Sequence, residues 1–354
     1  MNKIAFIIFS LASGGAERVL TILANELIRK YKIYIITFSS DDPFYSLDSR
    51  IEHIKLGIDK ESRNIFQSIK NSLARLTLLK RTLKDINANT NISFMTHTNI
   101  LSIVASRLNR QHIIISERIA YDFYNSLSLS ILRRIIYPFC DTLVLQTLSD
   151  QNNYNFIANK SIVIYNPISR ISSIRMNKKN IILGVGSLEK RKGFYNLILA
   201  FEKLKLNDWE LHIVGDGSQK NELENLIKKL RLDNVKLLGS KKDIFSQYAV
   251  ASIFVLCSER EGFPNVLLEA MSCGCAVVSF NCNYGPGEII ENRKNGILVE
   301  DQNFEELANE IRALTMDNDM RKKIASEAVR VKEKFSLEKI VKQWDSVIQK
   351  VLDD

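Results

Sequence analysis

The sequence predicts an α/β protein made of two doubly wound domains, each a parallel sheet covered by helices. Three observations predict it. Short apolar runs alternate with amphipathic stretches along the whole chain, as strands and crossover helices do. That alternation stops at Asn166-Pro167 and restarts near residue 181. Glycine turns follow the apolar runs where a doubly wound sheet would present its loops, at Gly14-Gly15, Gly186 and Gly215.

Taken in order, residues 3–9 read as a strand, 11–18 as a glycine turn and 19–31 as an amphipathic helix. Val19, Leu20, Leu23, Leu27 and Ile28 form its apolar stripe, and residues 33–38 are the next strand. The turn is not Gly-x-Gly-x-x-Gly, so a dinucleotide site is poorly supported. Residues 60–85 predict a long helix with Ile65, Ile69, Leu73, Leu76 and Leu83 on one stripe. Arg63, Lys70, Arg75, Lys80, Arg81 and Lys84 charge it. Such a helix either presents a solvated face or lies against anionic lipid. Residues 121–139, apolar around Arg133-Arg134, form a second candidate. Strands over 91–95, 112–116, 142–146 and 162–165 alternate with helices over 98–109 and 150–159 and complete a first domain, 1–167. A linker follows, over 168–180.

The second domain, 168–335, repeats the plan. Strand 181–185, loop 186–193 and helix 194–204 come first, then strand 210–214, helix 219–230 and strand 235–238. The apolar run 251–257 follows, then a loop, a helix opening at Pro264-Asn265 and closing by Gly274, and strand 276–279. After strand 296–299 the chain is helical, and 336–354 is expected to cross back to the first domain.

Bulk composition excludes several classes. Hydrophobic residues at 45% and charged residues at 25% of 354 are ordinary for a soluble globular protein. No apolar run has the roughly 18 residues of a membrane span, and the opening run is too short for a signal peptide. Five cysteines lie mostly in apolar runs, as buried thiols of a reducing compartment do. Cys273-Gly-Cys275 lacks the second pair or histidine of a zinc site, and Asp317-Asn-Asp319 reads as a helix cap, so no metal is expected. Residues 1–167 hold 20 Lys and Arg against 13 Asp and Glu, so the basic charge is concentrated there and points to an anionic partner.

The chemistry centres on Glu261 and Glu269, which flank the loop-to-helix transition after run 251–257. A helix start offers backbone N–H groups and the positive end of a dipole to a phosphate. Ionised carboxylates accept hydrogen bonds from sugar hydroxyls. Lys192, in a glycine-bounded loop between a strand and a helix, can offset phosphate charge. His97 and the Glu117-Arg118 pair fall at strand ends of the first domain. Their ordinary readings are a structural histidine and a neighbouring ion pair. Together these groups suggest a sugar joined to a phosphate.

With these loops in hand, the chain resembles the retaining family 4 glycosyltransferases of GT-B fold, two Rossmann-like domains facing each other across a cleft. The resemblance runs almost end to end. It rests on Gly14-Gly-Ala-Glu-Arg-Val19, Ser116-Glu-Arg118, Leu145-Gln-Thr147, Ile164-Tyr-Asn-Pro-Ile168 and Gly184-Val-Gly-Ser-Leu188 with Lys192-Gly193. Ile213-Val-Gly-Asp-Gly217 and above all Glu261-Gly-Phe-Pro-Asn-Val-Leu-Leu-Glu269 complete it. Ser116-Glu-Arg118 and Gly285-Pro-Gly-Glu-Ile-Ile290 resemble the subgroup that transfers hexoses or N-acetylhexosamines from UDP-sugars to polyprenyl-diphosphate-linked glycans of surface polysaccharides such as O-antigen or capsule.

The resemblance implies that Glu269 holds ribose hydroxyls, Glu261 contacts the sugar, and backbone around Phe263, Pro264 and Asn265 lines sugar and phosphates. Gly186, Ser187, Arg191, Lys192 and Gly215 would hold the diphosphate side, and Gly14-Gly15 would close over the donor. His97 would lie near the transferred sugar, with Glu117 and Arg118 on the acceptor side. Many members carry Arg where this chain has Ser187, so a second diphosphate cation comes from Arg191 or Lys190 or is absent. Also implied are the absence of a cofactor or nucleic-acid partner, an anionic membrane surface as partner, and a cytoplasmic enzyme peripheral on the inner face of the cell membrane. A retaining glycosidase is disfavoured because the surrounding loops are of nucleotide-binding type. A sugar-nucleotide epimerase on the same fold is the alternative activity.

Overall fold

The computed structural model describes residues 1–59, 64–124, 126–168, 177–241 and 243–353, without the Ile65 side chain. The first four residues of the predicted helix 60–85, Arg63 among them, and most of the linker 168–180 lie outside these. The chain divides into two compact units, Met1–Pro167 with Glu338–Asp354, and Ile168–Leu337.

In unit 1, β1 (Lys3–Ile8), α1 (Gly15–Leu27), β2 (Lys32–Thr37) and β3 (Glu52–Lys55) are followed by α2 (Ile65–Ile86) and β4 (Thr90–Phe94). Then come α3 (Thr96–Leu108), β5 (His112–Ser116), α4 (Leu127–Ile136), β6 (Thr142–Leu145), α5 (Leu148–Gln151) and β7 (Ser161–Val163). All seven strands are parallel, in the order β3-β2-β1-β4-β5-β6-β7. One face packs α1 and the C-terminal helix Leu337–Asp353, through Leu20, Leu23, Trp344 and Ile348. The other packs α2, α3 and α4, through Leu79, Leu83, Ile103 and Leu129. Burial on both faces is what the continuous apolar strands of a parallel sheet require.

Unit 2 holds β8 (Lys179–Val185), α6 (Phe194–Leu204), β9 (Glu210–Val214), α7 (Lys220–Leu230), β10 (Val235–Leu237) and α8 (Phe245–Val250). It continues with β11 (Ala251–Leu256), α9 (Asn265–Ser272), β12 (Ala276–Phe280), α10 (Pro286–Ile289) and β13 (Ile297–Val299). Helices α11 (Phe304–Met316), α12 (Asn318–Ala328) and α13 (Val331–Lys334) close it. Its sheet, also parallel, has the order β10-β9-β8-β11-β12-β13.

Three expectations need correction. The predicted helix 121–139 is only Leu127–Ile136, capped by the Ser126 side chain and followed by a 3-10 turn. Helix 150–159 is α5 plus a 3-10 stretch, Asn152–Lys160, with non-helical backbone at Tyr154 and Ile157. The stripe on α2 does not form one core face. Of its residues Leu83 is buried, beside Leu79, but Ile69 and Leu73 are 55% and 58% exposed, as is the neighbouring Phe66 at 81%. The cause is length: 22 residues of helix reach about 33 Å, whereas a five-residue strand such as β4 spans roughly 17 Å. Since the end of α2 is anchored at the entry to β4, the surplus projects past the carboxyl edge of the sheet.

Candidate active site

In each sheet the strand order reverses at one place, between β1 and β4 in unit 1 and between β8 and β11 in unit 2. Loops leaving neighbouring strands in opposite directions open a crevice there, where such sheets bind ligands. The sequence-predicted residues gather at these two points.

In unit 2 the loop after β8 carries Gly186, Ser187, Arg191 and Lys192, and the loop after β11 carries Glu261, Phe263 and Pro264. Lys192 Nζ donates to Glu261 Oε1 over 2.6 Å, with only 12% and 11% of the two side chains exposed. The two loops are stitched further by Glu259 N–H to the Arg191 carbonyl, 2.8 Å, and Cys257 Sγ to the Lys192 carbonyl, 3.2 Å. Gly193 is the joint. Its φ is +73°, and a Cβ there would lie 2.2 Å from the Cys257 carbonyl oxygen. Gly215, φ +151°, backs in the same way onto the Gly186 carbonyl. Arg191 pairs with Glu189 over 2.8 Å at the surface, a contact that exchanges readily.

Helix α9 begins at Asn265 with no side chain capping it. Glu269, in its second turn, is buried, and its Oε2 accepts from the Tyr248 hydroxyl at 3.1 Å. The Phe263 ring turns inward onto Phe335, 5.9 Å between centroids, which leaves backbone at the loop's outer side. Asp317 accepts from Met320 N–H and is a helix cap, as its position in the sequence suggests.

In unit 1, Gly14 and Gly15 form the entry to α1 and His97 stands in the first turn of α3. The His97 ring, exposed on one side, meets Tyr124 edge to face at 5.0 Å, and partial desolvation together with the positive charge of Arg75 holds its pKa below the usual histidine value. Arg75, read from sequence as one charge of a helix face, donates to the Ile58 carbonyl over 2.9 Å and lies 5.4 Å from the Phe9 ring. Only the fold could bring it there, since 66 residues separate it from Phe9.

Glu117 and Arg118 correct the sequence reading. They are neither a rim nor an ion pair, being 1% and 6% exposed. Arg118 donates to Asn166 Oδ1 at 2.7 Å and lies over the rings of Phe94 and Trp344, and burial lowers its pKa to about 9. Glu117 is tied into the interior, with its pKa raised by burial. Arg133 is likewise no surface charge: it donates to the Tyr154 hydroxyl and the Tyr121 carbonyl. Helix α4 nevertheless has an outward apolar stripe, Leu127, Ile131 and Ile135 at 79%, 50% and 57% exposure, and Arg134 is exposed beside it. No group of three or more potential metal ligands occurs among the described residues, and none of their helices is long and apolar enough to cross a membrane.

Two parallel sheets, each with ligand loops at a reversal of strand order, define a double nucleotide-binding architecture. Comparison with known proteins makes the class specific. Residues 167–331 match the family model of glycosyl transferases, group 1. Over 99% of both chains, the protein is 29% identical to GalNAc-alpha-(1->4)-GalNAc-alpha-(1->3)-diNAcBac-PP-undecaprenol alpha-1,4-N-acetyl-D-galactosaminyltransferase of Campylobacter jejuni. It is 26% identical to the amylovoran biosynthesis glycosyltransferase AmsD of Erwinia amylovora, over 98% of this chain and 100% of that one. Anabaena HepE, solved in complex with UDP, superposes with a TM-score of 0.82 at 20% identity, covering 99% of this chain and all of the other. Residues 167–331 thus form a group 1 glycosyltransferase domain, and the chain is a glycosyltransferase with the GT-B fold.

Proposed function

We propose that this enzyme moves a hexose or N-acetylhexosamine from a UDP-sugar to a polyprenyl-diphosphate-linked glycan, with retained configuration and without a metal, in surface polysaccharide synthesis. The observation that carries the reading is the shielded Lys192–Glu261 pair at the strand reversal of unit 2, one loop before the uncapped start of α9. The names of the relatives support the acceptor class.

In this reading the donor diphosphate draws Lys192 away from Glu261, and the freed carboxylate turns to the sugar hydroxyls. Gly186, Ser187 and Gly215 let the backbone approach, and Arg191, released from Glu189, supplies the second cation. Backbone at Phe263, Pro264 and Asn265 lines the phosphates, and Glu269 holds the ribose. Gly14, Gly15 and His97, at the strand reversal of unit 1, keep the roles that the family resemblance implies for them. The acceptor hydroxyl oxygen bonds to the anomeric carbon on the face from which UDP departs. The carbon–oxygen bond to the diphosphate breaks, and the hydroxyl proton passes to the leaving diphosphate. Charge developing on UDP is met by Lys192 and the helix start, groups already oriented before reaction. Glu261 binds sugar and is not a nucleophile.

The acceptor's lipid places the reaction at a membrane surface. The overhanging half of α2 and the stripe on α4, with their lysines and arginines, suit an anionic leaflet. The enzyme is then a cytoplasmic, peripheral protein of the inner membrane face, without a nucleic-acid partner.

A panel of UDP-sugars, each incubated with synthetic polyprenyl-diphosphate glycans with and without EDTA, tests this. We expect one donor to give an α-linked product at the same rate in EDTA. Isomerisation of a free UDP-sugar with no transfer to any acceptor would mean an epimerase, and an EDTA-abolished reaction would remove the metal-free mechanism.

A further inference from the structure

We propose that Glu117 is a positioning residue, fixing the turn that carries His97 by holding the side chains on either side of it. Its carboxylate is 1% exposed and has three neutral donors. Oε2 accepts from Thr96 Oγ1 at 2.8 Å, and Oε1 accepts from Asn99 Nδ2 at 3.2 Å and from the Tyr137 hydroxyl. Thr96 immediately precedes His97, and Asn99 follows two residues later. Asn99 is itself tied to both strands of the crevice. It accepts from Ser93 Oγ of β4 at 2.7 Å and donates to the Ser116 carbonyl of β5 at 3.0 Å.

Backbone geometry shows that the turn needs holding. Met95, which caps α3, has φ +78° and ψ 139°, a conformation an L-residue with a side chain adopts only under constraint. Its N–H donates to the same Ser116 carbonyl at 3.0 Å. His97 therefore leaves the sheet on a strained turn whose two polar side chains converge on one buried carboxylate. Burying a carboxyl among neutral donors costs free energy that an apolar residue would not. The arrangement has a use if it holds an exposed imidazole, with Tyr124 against it, at one place above the sheet.

The geometric half of this inference stands alone, whereas its effect on catalysis rests on the role given to His97 above. Glu117→Gln separates the two. An amide nitrogen cannot accept a hydrogen bond, so facing Thr96 it reverses that hydroxyl from donor to acceptor, and facing the other way it meets the Asn99 amide donor to donor; either way the carboxylate's hold on one side of the turn changes. The ring C–H resonances of His97 are identified by their loss in His97→Ala. In folded Glu117→Gln they are expected to shift, since the ring moves relative to Tyr124, while those of His53, His112 and His212 stay in place. Measured as UDP release from the donor selected by the panel, kcat is expected to fall about tenfold with the donor KM within twofold. Thr96→Val, which removes one donor and keeps the branched shape, shifts the same resonances less and stands in if the first variant does not fold. Unmoved His97 resonances in either folded variant overturn the proposal. Moved resonances with an unchanged kcat leave the positioning role intact and remove His97 from the transfer step.

Discussion

Lys192 and Glu261 satisfy each other across 2.6 Å while nearly shielded from water, so a donor must offer both of them something better. A UDP-sugar does: two phosphates for the ammonium and several hydroxyls for the carboxylate. Glu269 is buried in the second turn of α9, where its Oε2 accepts from the Tyr248 hydroxyl. In the proposed reading Glu269→Gln removes the carboxylate that holds the ribose. Losing a charge-assisted hydrogen bond to a ribose hydroxyl should weaken UDP binding by about tenfold or more. His97→Ala should leave UDP affinity within twofold and slow transfer by about tenfold or more, because in the proposed reading the ring acts at the sugar. Calorimetric titration with UDP and a transfer assay on both variants check this. Equal UDP affinity of wild type and Glu269→Gln would remove the ribose assignment.

Among elements, the loop from β8 to α6 is the one on which the site depends most directly. Its end at Gly193 combines a left-handed backbone with a carbonyl 2.2 Å from any added Cβ. Gly193→Ala must bear the backbone strain and push apart the two loops that align Lys192 with Glu261. A loss of about 2–4 kcal/mol follows from those two costs, together with weakened UDP binding. A urea midpoint within error of wild type would show that the loops part freely. This glycine was readable as a loop boundary, since strand, glycine and helix patterns bracket it, but its contact with Cys257 was not, because 63 residues intervene. Strand β3 escaped notice because its four residues, Glu-His-Ile-Lys, are only partly buried at the sheet edge and lack an apolar run. Helix α8, six residues long, is too short for periodicity to show. Glu117 and Arg118 were found as residues but assigned to the wrong surroundings. Spacing places a side chain at a strand end and does not say whether the next helix covers it.

At the scale of the molecule, the basic excess of residues 1–167 gains a location. Helix α2 carries Lys70, Arg75, Lys80, Arg81 and Lys84 against a single acid, Asp85, and its first half extends past the sheet with apolar side chains outward. Helix α3 packs between α2 and α4, so the overhang and the Leu127–Ile131–Ile135 stripe belong to one face of unit 1. Water-exposed apolar groups beside positive charge are what an interfacial helix requires: the stripe would enter the acyl boundary, and each lysine or arginine would add about 1 kcal/mol near an anionic surface. The enzyme should therefore sediment with vesicles containing phosphatidylglycerol, less so as salt rises, and poorly with neutral phosphatidylcholine. Replacing Leu127, Ile131 and Ile135 together by Gln removes apolar area without touching a charge. Vesicle affinity should fall at least about tenfold, while UDP binding, which the proposed function gives to unit 2, stays as it was. Transfer to a short water-soluble acceptor analogue should persist in that variant, and transfer to a vesicle-embedded acceptor should drop. Undiminished vesicle binding by the triple variant, or equal binding to neutral and anionic vesicles, would put the membrane contact elsewhere.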